Sequence, residues 1–196
     1  MMYRNYLKHM FDFITAILAF IILSPFFLLL CSIIKLDSKG PVFFQQKRIG
    51  KNKTEFSILK FRSMKIDAPK DQPTHLLKNP DAYITRVGKF LRRSSLDELP
   101  QLINIIIGQM SIVGPRPALY NQYDLIALRD KCGANDVRPG LTGWAQVNGR
   151  DELPIDVKSR YDGEYIEKMS FWFDLTCIVK TFKSVSKAEG VVEGKH

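Results

Sequence analysis

From Phe13 to Ile34 the chain runs 22 residues without a charge, bracketed by Arg4, Lys8 and Asp12 before and Lys35 after. At ~1.5 Å per residue, one helix of this length reaches across a hydrocarbon core of ~30 Å. Membrane attachment is therefore the first constraint on the fold. A cleaved signal peptide is the rival reading. Against it, the stretch exceeds the usual ~7–15-residue apolar core, and no small-x-small cleavage site follows. The run Leu28–Cys31 faintly suggests a lipoprotein site, but the residue before Cys31 is not small. The segment is expected to be retained.

Its middle reads Ile22-Leu23-Ser24-Pro25-Phe26. Proline has no amide hydrogen and its ring crowds the carbonyl four residues earlier, so a bend is expected at Ser24-Pro25. Each arm is then about one leaflet long at helical rise. Both flanks are basic, and basic flanks favour the cytoplasmic side. A hairpin that enters and leaves on one face fits these features. A spanning helix with a tolerated proline kink fits them too, and these residues alone leave both open.

The remaining chain reads as one α+β domain, mainly helical, over residues 37–196, following a membrane element over residues 1–36. Residues 35–62 carry eight Lys/Arg against Asp37 and Glu55. Within them, Val42–Gln45 and Phe56–Leu59 predict two short strands, and Gly50–Lys53 supplies the turn of a β-hairpin. Residues 65–83, with Pro69, Pro73 and Pro80, predict a surface loop. Ile84, Val87, Phe90 and Leu91 recur at helical spacing, closed by Arg92 and Arg93. Ser94–Gln101 predicts the start of a further helix, with Asp97 at or near an exposed N-cap and Pro100 in the first turn. Leu175, Ile178, Val179, Phe182 and Val185 form an apolar stripe beside Lys180, Lys183 and Lys187, preceded by Phe171-Trp172-Phe173. A basic amphipathic helix of this kind suits a membrane interface, although core packing produces the same pattern.

Charge and cysteine usage exclude several classes. With 29 Lys+Arg against 20 Asp+Glu, the formal charge of +9 asks for an anionic partner: nucleic acid, a phosphorylated small molecule or an acidic lipid surface. Cys31, Cys132 and Cys177 are scattered without a C-x-x-C, and His9, His75 and His196 lack ligand spacing, which argues against a disulfide framework or a zinc centre. No Walker loop, G-x-G-x-x-G or G-x-S-x-G is present, so the usual NTPase, dinucleotide and serine-hydrolase readings lack their cradle or nucleophile.

What remains is an unusual concentration of arginine-bearing turns around one acidic pair. Asp97-Glu98 sits at an expected helix start, where the dipole and free amides would keep a carboxylate ionised. Arg92 and Arg93 lie just upstream. Gly114-Pro115-Arg116-Pro117 and Val137-Arg138-Pro139-Gly140 are rigid turns presenting arginines, whose forks bind phosphate oxygens in pairs. Gln146, Asn148 and Arg150 offer amides and a guanidinium able to read a nucleobase edge. Each piece alone also reads as capping, a turn or a salt bridge.

Taken together the pieces resemble the small monotopic phosphoglycosyl transferases, the bacterial sugar transferases that start capsule, O-antigen and glycoprotein glycan assembly. The matching segments are Ser24-Pro25, Phe56–Met64 (FSILKFRSM), Ser95–Gln101 (SLDELPQ), Met110–Pro117 (MSIVGPRP), Val137–Arg150 (VRPGLTGWAQVNGR) and Arg160–Asp162. They run in family order over nearly the whole chain and sit closest to capsule-type members, in the minimal form without the added regions of larger relatives. The resemblance implies a re-entrant helix broken at Ser24-Pro25, with both ends on the cytoplasmic face of the inner membrane and amphipathic interfacial helices around the active site. It implies Asp97 as a nucleophile taking the sugar phosphate and Glu98 as its partner in placing Mg²⁺. It implies Lys60, Arg92 and Arg116 facing phosphates, Asp162 completing the acidic side, and Arg138, Gln146, Asn148 and Arg150 along the nucleotide.

The reaction so implied moves a sugar 1-phosphate, an N-acetylhexosamine or its 6-deoxy form, from a UDP-sugar to undecaprenyl phosphate with release of UMP. The partners are those two substrates and an anionic lipid surface, not nucleic acid. Homo-oligomer formation is left open. Two rivals stand beside this expectation. A membrane-anchored polyanion-binding protein would show steep salt dependence and indifference to Asp97→Asn. A single-displacement transferase would use Asp97 as a general base.

Overall fold

A computed structural model describes residues 2–69, 77, 79–149 and 153–186. After a π-helical turn over Tyr3–Leu7, helix α1 spans Lys8–Asp37 without interruption, with Pro25 inside it. Helical hydrogen bonding therefore runs on through Ser24-Pro25. The reason is local. Pro25 has no amide for the carbonyl of Ile21, and the Ser24 hydroxyl donates to that same carbonyl at 2.8 Å, which relieves the loss.

Both ends of α1 rest on one body. Near its start, the Asp12 carboxylate accepts from Ser111 Oγ at 2.6 Å and Ile112 N at 3.1 Å, and Lys8 donates to Asp174. Near its end, the Arg62 guanidinium donates to the carbonyls of Ile34 and Ser38, and Asp37 accepts from Val87 N. Between them Phe27, Leu30 and Ile34 bury against a core that includes Phe61, Leu91, Leu102 and Ile105. The opposite face, with Leu18, Ile21, Ile22, Leu28 and Leu29, stays exposed.

The expected hairpin forms and is longer than the two sequence runs. Strand β1 (Phe43–Ile49) pairs antiparallel with β2 (Glu55–Phe61), with Phe43 opposite Phe61. Asn52 at φ 54° and Lys53 at φ 59° take left-handed backbone to close the turn. The helix expected around residue 90 is α2 (Arg86–Arg93), capped by Thr85, whose side chain accepts from Gly88 N. A short α3 (Gln101–Ile106) leads to β3 (Ser111–Val113), which runs parallel to β4 (Gly140–Thr142). The crossover between them carries α4 (Tyr123–Lys131). Then follow α5 (Trp144–Val147), α6 (Ile155–Lys168) and α7 (Phe171–Ser186).

Helix α7 takes in Phe171-Trp172-Phe173 as its first turn. Its face of Phe171, Trp172, Leu175, Val179 and Phe182 is exposed, while Asp174 and Cys177 are buried. Phe171 packs on Phe11 of α1 with ring centroids 5.6 Å apart, so the exposed apolar faces of α1 and α7 adjoin.

Candidate active site

Ser95 adopts left-handed backbone (φ 55°) and turns the chain out of α2 into a single 3₁₀ turn, Leu96–Glu98. Pro100, rather than Asp97, is the N-cap of α3. The expected cap at Asp97 is thus displaced: Asp97 lies in the turn before the helix, and it is buried rather than exposed, at 7% of its accessible surface. Burial pushes its carboxyl upward from the ordinary aspartate range, and neighbouring Glu98 adds to the rise. Lys60, Arg92 and Arg116 act in the opposite direction but do not outweigh burial. A helix dipole holding Asp97 ionised is therefore not what the structure provides.

Lys60, near the end of β2, reaches Glu98 Oε1 with its Nζ at 2.7 Å. Arg116 Nη2 approaches the same oxygen at 3.2 Å. Among the described residues no hydrogen bond or ion pair closes on the Asp97 carboxylate. The site is a pair of adjacent carboxylates, one clamped and one not, within the field of three cations. Three cations around two acids leave a local excess of positive charge, the kind of field that draws anions.

The turn that presents Arg116 is built by close backbone approach. A Cβ on Gly114 would meet the Arg138 carbonyl at 2.7 Å, and one on Gly143 would meet the Gly114 carbonyl at 2.0 Å. Only glycine allows these strands to cross so closely, which is why the Gly-Pro-Arg-Pro and Arg-Pro-Gly motifs lie side by side.

Of the residues singled out from sequence, the structure brings Lys60, Arg92, Asp97, Glu98 and Arg116 together. Asp162 is elsewhere. It is 1% exposed, on α6, and pairs with Arg129 of α4 through Nη2 at 2.7 Å and Nε at 2.8 Å. Among the described residues its hydrogen-bonding partner is Arg129 rather than either member of the Asp97-Glu98 pair. The Arg138 guanidinium lies against Gly108, in the connection between α3 and β3. Gln146 donates to the Leu141 carbonyl and Asn148 to that of Trp144, so both brace α5. Arg150 lies outside the described residues.

Arg129 was missed by sequence reasoning, although a signal existed. Arg129 falls four residues after Leu125, on the same buried face of α4, and a charge there requires a buried partner. Lys8 and Asp12 were read only as flanks of the apolar run. They form a buried network with Ser111, Asp174 and Tyr165, whose hydroxyl lies 2.8 Å from Asp174 and 3.0 Å from the Val113 carbonyl.

Two carboxylates at successive positions suit a hard divalent ion when substrate phosphates complete its shell. Among the described residues no cluster of three or more His, Cys, Asp or Glu offers a complete protein cage. Asp97 and Glu98 could supply two of the oxygen donors such an ion needs, the rest coming from outside the protein.

The body thus carries a cation-ringed acidic pair beside one helix long and apolar enough to cross a membrane. The model of the bacterial sugar transferase family matches residues 3–188, and the chain belongs to that family. It is 43% identical over 181 residues to the UDP-glucose:undecaprenyl-phosphate glucose-1-phosphate transferase of Xanthomonas campestris pv. campestris, covering 89% of this chain and 37% of that protein. It is 38% identical over 197 residues to the exopolysaccharide production protein ExoY of Sinorhizobium fredii, covering 93% of this chain and 87% of the relative. It is 36% identical to the UDP-N-acetylgalactosamine-undecaprenyl-phosphate N-acetylgalactosaminephosphotransferase of Aeromonas hydrophila, covering 92% of this chain and 44% of that protein. The chain thus spans less than half the length of the first and third of these relatives and most of the second.

Proposed function

We propose that this protein transfers a sugar 1-phosphate from a UDP-sugar to undecaprenyl phosphate, releasing UMP, in two displacements on Asp97. The observation that carries the reading is a buried carboxylate with no closing partner beside a partner acid and three cations. In the first displacement a carboxylate oxygen of Asp97 attacks the phosphorus that bears the sugar. The bond from that phosphorus to the bridging oxygen breaks, and the oxygen leaves with UMP. In the second, a phosphate oxygen of undecaprenyl phosphate attacks the same phosphorus, the acyl phosphate bond breaks, and Asp97 is regenerated.

Lys60 and Arg116 offset the charge of the incoming diphosphate while holding Glu98 in place. Arg92 adds to the same field. Mg²⁺, held by Asp97 and Glu98, would supply further charge compensation when bound. Burial of Asp97 removes the water shell that would otherwise blunt its attack.

The same reading assigns topology. Helix α1, 30 residues and about 45 Å long at helical rise, is tied at both ends to one domain. That supports a helix dipping into and returning from one leaflet, with the domain on the cytoplasmic face and α7 at the interface. Relatives named for glucose and for N-acetylgalactosamine frame the choice of sugar, and an N-acetylated hexosamine is our assignment. The pathway is capsule or exopolysaccharide assembly. The test is rapid-quench measurement of UMP with no lipid acceptor present. The reading requires a burst of up to one equivalent per enzyme with one of a panel of UDP-sugars, absent in Asp97→Asn. Turnover by Asp97→Asn would refute it.

A further inference from the structure

The turn that presents Arg116 is held at several successive backbone positions by other parts of the chain. Gly114 N donates to the Thr142 carbonyl at 2.8 Å, and the Pro115 carbonyl accepts from Gly140 N at 2.9 Å. The Arg116 carbonyl accepts from Arg129 Nη1 at 2.9 Å. The Pro117 carbonyl accepts from Arg48 Nη1 at 3.1 Å, and that of Ala118 from Ile49 N at 2.9 Å. Four consecutive carbonyls are thus occupied. Two of them are held by arginine side chains reaching from other elements.

Arg129 is the more constrained of the two. Its Nε and Nη2 both go to Asp162 Oδ2, and its Nη1 goes to the backbone of the residue whose own side chain meets Glu98. A buried ion pair by itself is weak evidence of a stabilising role, since apolar groups of equal volume often do as well. This pair carries an extra donor aimed at one carbonyl. An aliphatic replacement could not supply it. Lysine could not supply it while also holding Asp162 in two places, because its charge sits on a single nitrogen.

We infer that Arg129, anchored by Asp162, is a positioning residue for the transfer: it fixes the Arg116 carbonyl and so sets the direction from which the Arg116 guanidinium approaches Glu98 and the phosphates. The inference rests on the reading of Asp97-Glu98 as the site of phosphoryl transfer. It gives Asp162 a task at one remove from the chemistry, where the sequence alone suggested a place in the acidic site itself.

The experiment is a double-mutant cycle on the full chain in lipid nanodiscs. It uses whichever of UDP-glucose, UDP-galactose, UDP-N-acetylglucosamine and UDP-N-acetylgalactosamine the unmutated protein turns over. Arg129→Lys should slow UMP formation by about ten- to a hundredfold, the scale of an ångström-level misplacement, with kcat falling by more than KM rises. In an Arg116→Ala background the same change should alter the rate by less than about twofold, because the group it positions is gone. An Arg129→Lys rate equal to that of the unmutated protein overturns the inference. So does a penalty that persists in full beside Arg116→Ala, which would mark a general structural role. If Arg129→Lys does not fold, the charge-neutral pair Arg129→Gln with Asp162→Asn takes its place under the same criteria. Failure of the unmutated protein to turn over any of the four sugars would overturn the proposed function, and this inference with it. An active unmutated enzyme with an indifferent Arg129 overturns this inference alone.

Discussion

Asp97 and Asp162 are both buried, both pushed upward from the ordinary aspartate range by loss of water, and both near arginines, yet they are opposites. Asp162 is 1% exposed and closed by two nitrogens of Arg129. Asp97 is 7% exposed, and among the described residues its carboxylate is met only by the field of Lys60, Arg92 and Arg116. A buried charge with its partner in place is architecture. A buried charge kept waiting is a cost that a fold carries where chemistry needs it. The contrast separates the two aspartates more sharply than either burial or motif membership does.

Exchanging each carboxyl for an amide sharpens that contrast. On the proposed two-displacement mechanism Asp97→Asn lacks its nucleophile, and turnover should fall by about 10⁴-fold or more, read as UMP release with both substrates present. Asp162→Asn leaves the Arg129 charge buried without its counter-ion. Loss of one partner of such a pair costs about 3–5 kcal/mol, to be read in denaturant unfolding of the purified protein. If Asp162→Asn instead unfolds with the unmutated protein, the pair is not the fastener described here.

The second buried acid network offers a milder test. Tyr165→Phe removes the hydroxyl between Asp174 and the Val113 carbonyl and should cost about 1–2 kcal/mol, with little effect on the rate of UMP release. The phenol is held protonated by burial and then by the Asp174 carboxylate, so this contribution should not change between neutral and mildly alkaline pH. A large loss of activity would show that the network does more than fasten α1 to β3 and α7.

The smallest effect is the most diagnostic in sign. Because burial raises the Asp97 pKa above its unfolded-state value, the native state holds that proton more tightly than the unfolded chain. Stability from this group therefore falls as pH rises between the two pKa values, and the full cost stands above the native one. Asp97→Asn carries no such charge. Its thermal midpoint should match or exceed that of the unmutated protein at pH 7.5, and the difference should vanish below about pH 4, near the ordinary aspartate value. Asp162→Asn should show a loss at pH 7.5. A destabilised Asp97→Asn would place Asp97 in the same class as Asp162.

Much of the scaffold was legible because its signals are local. Two short runs and the turn chemistry between them marked β1 and β2, and helical spacing marked α2 and α7. The motifs also led to Lys60, Arg92, Asp97, Glu98 and Arg116, which do converge. What was illegible depended on distant partners. An N-cap reading of Asp97 assumed solvent, and desolvation is set by strands and turns far away in sequence. Ser24-Pro25 predicts a bend, but the motif does not display that the Ser24 hydroxyl satisfies the carbonyl proline orphans, so that helical hydrogen bonding continues past it. Asp162 lies next to Arg160-Tyr161 in a motif, yet its partner is 33 residues upstream. Motif order pointed to the family, while the different surroundings of Asp97 and Asp162 came only from contacts.

The central claim is that Asp97 carries the sugar phosphate, and intact-protein mass spectrometry tests it most directly. The full chain is mixed with the turned-over UDP-sugar and Mg²⁺, without undecaprenyl phosphate, and quenched in acid. The account requires a mass gain of one sugar-phosphate unit on the unmutated protein, chased away on addition of undecaprenyl phosphate and absent from Asp97→Asn. UMP formation without any adduct, or an adduct of equal yield on Asp97→Asn, would contradict it.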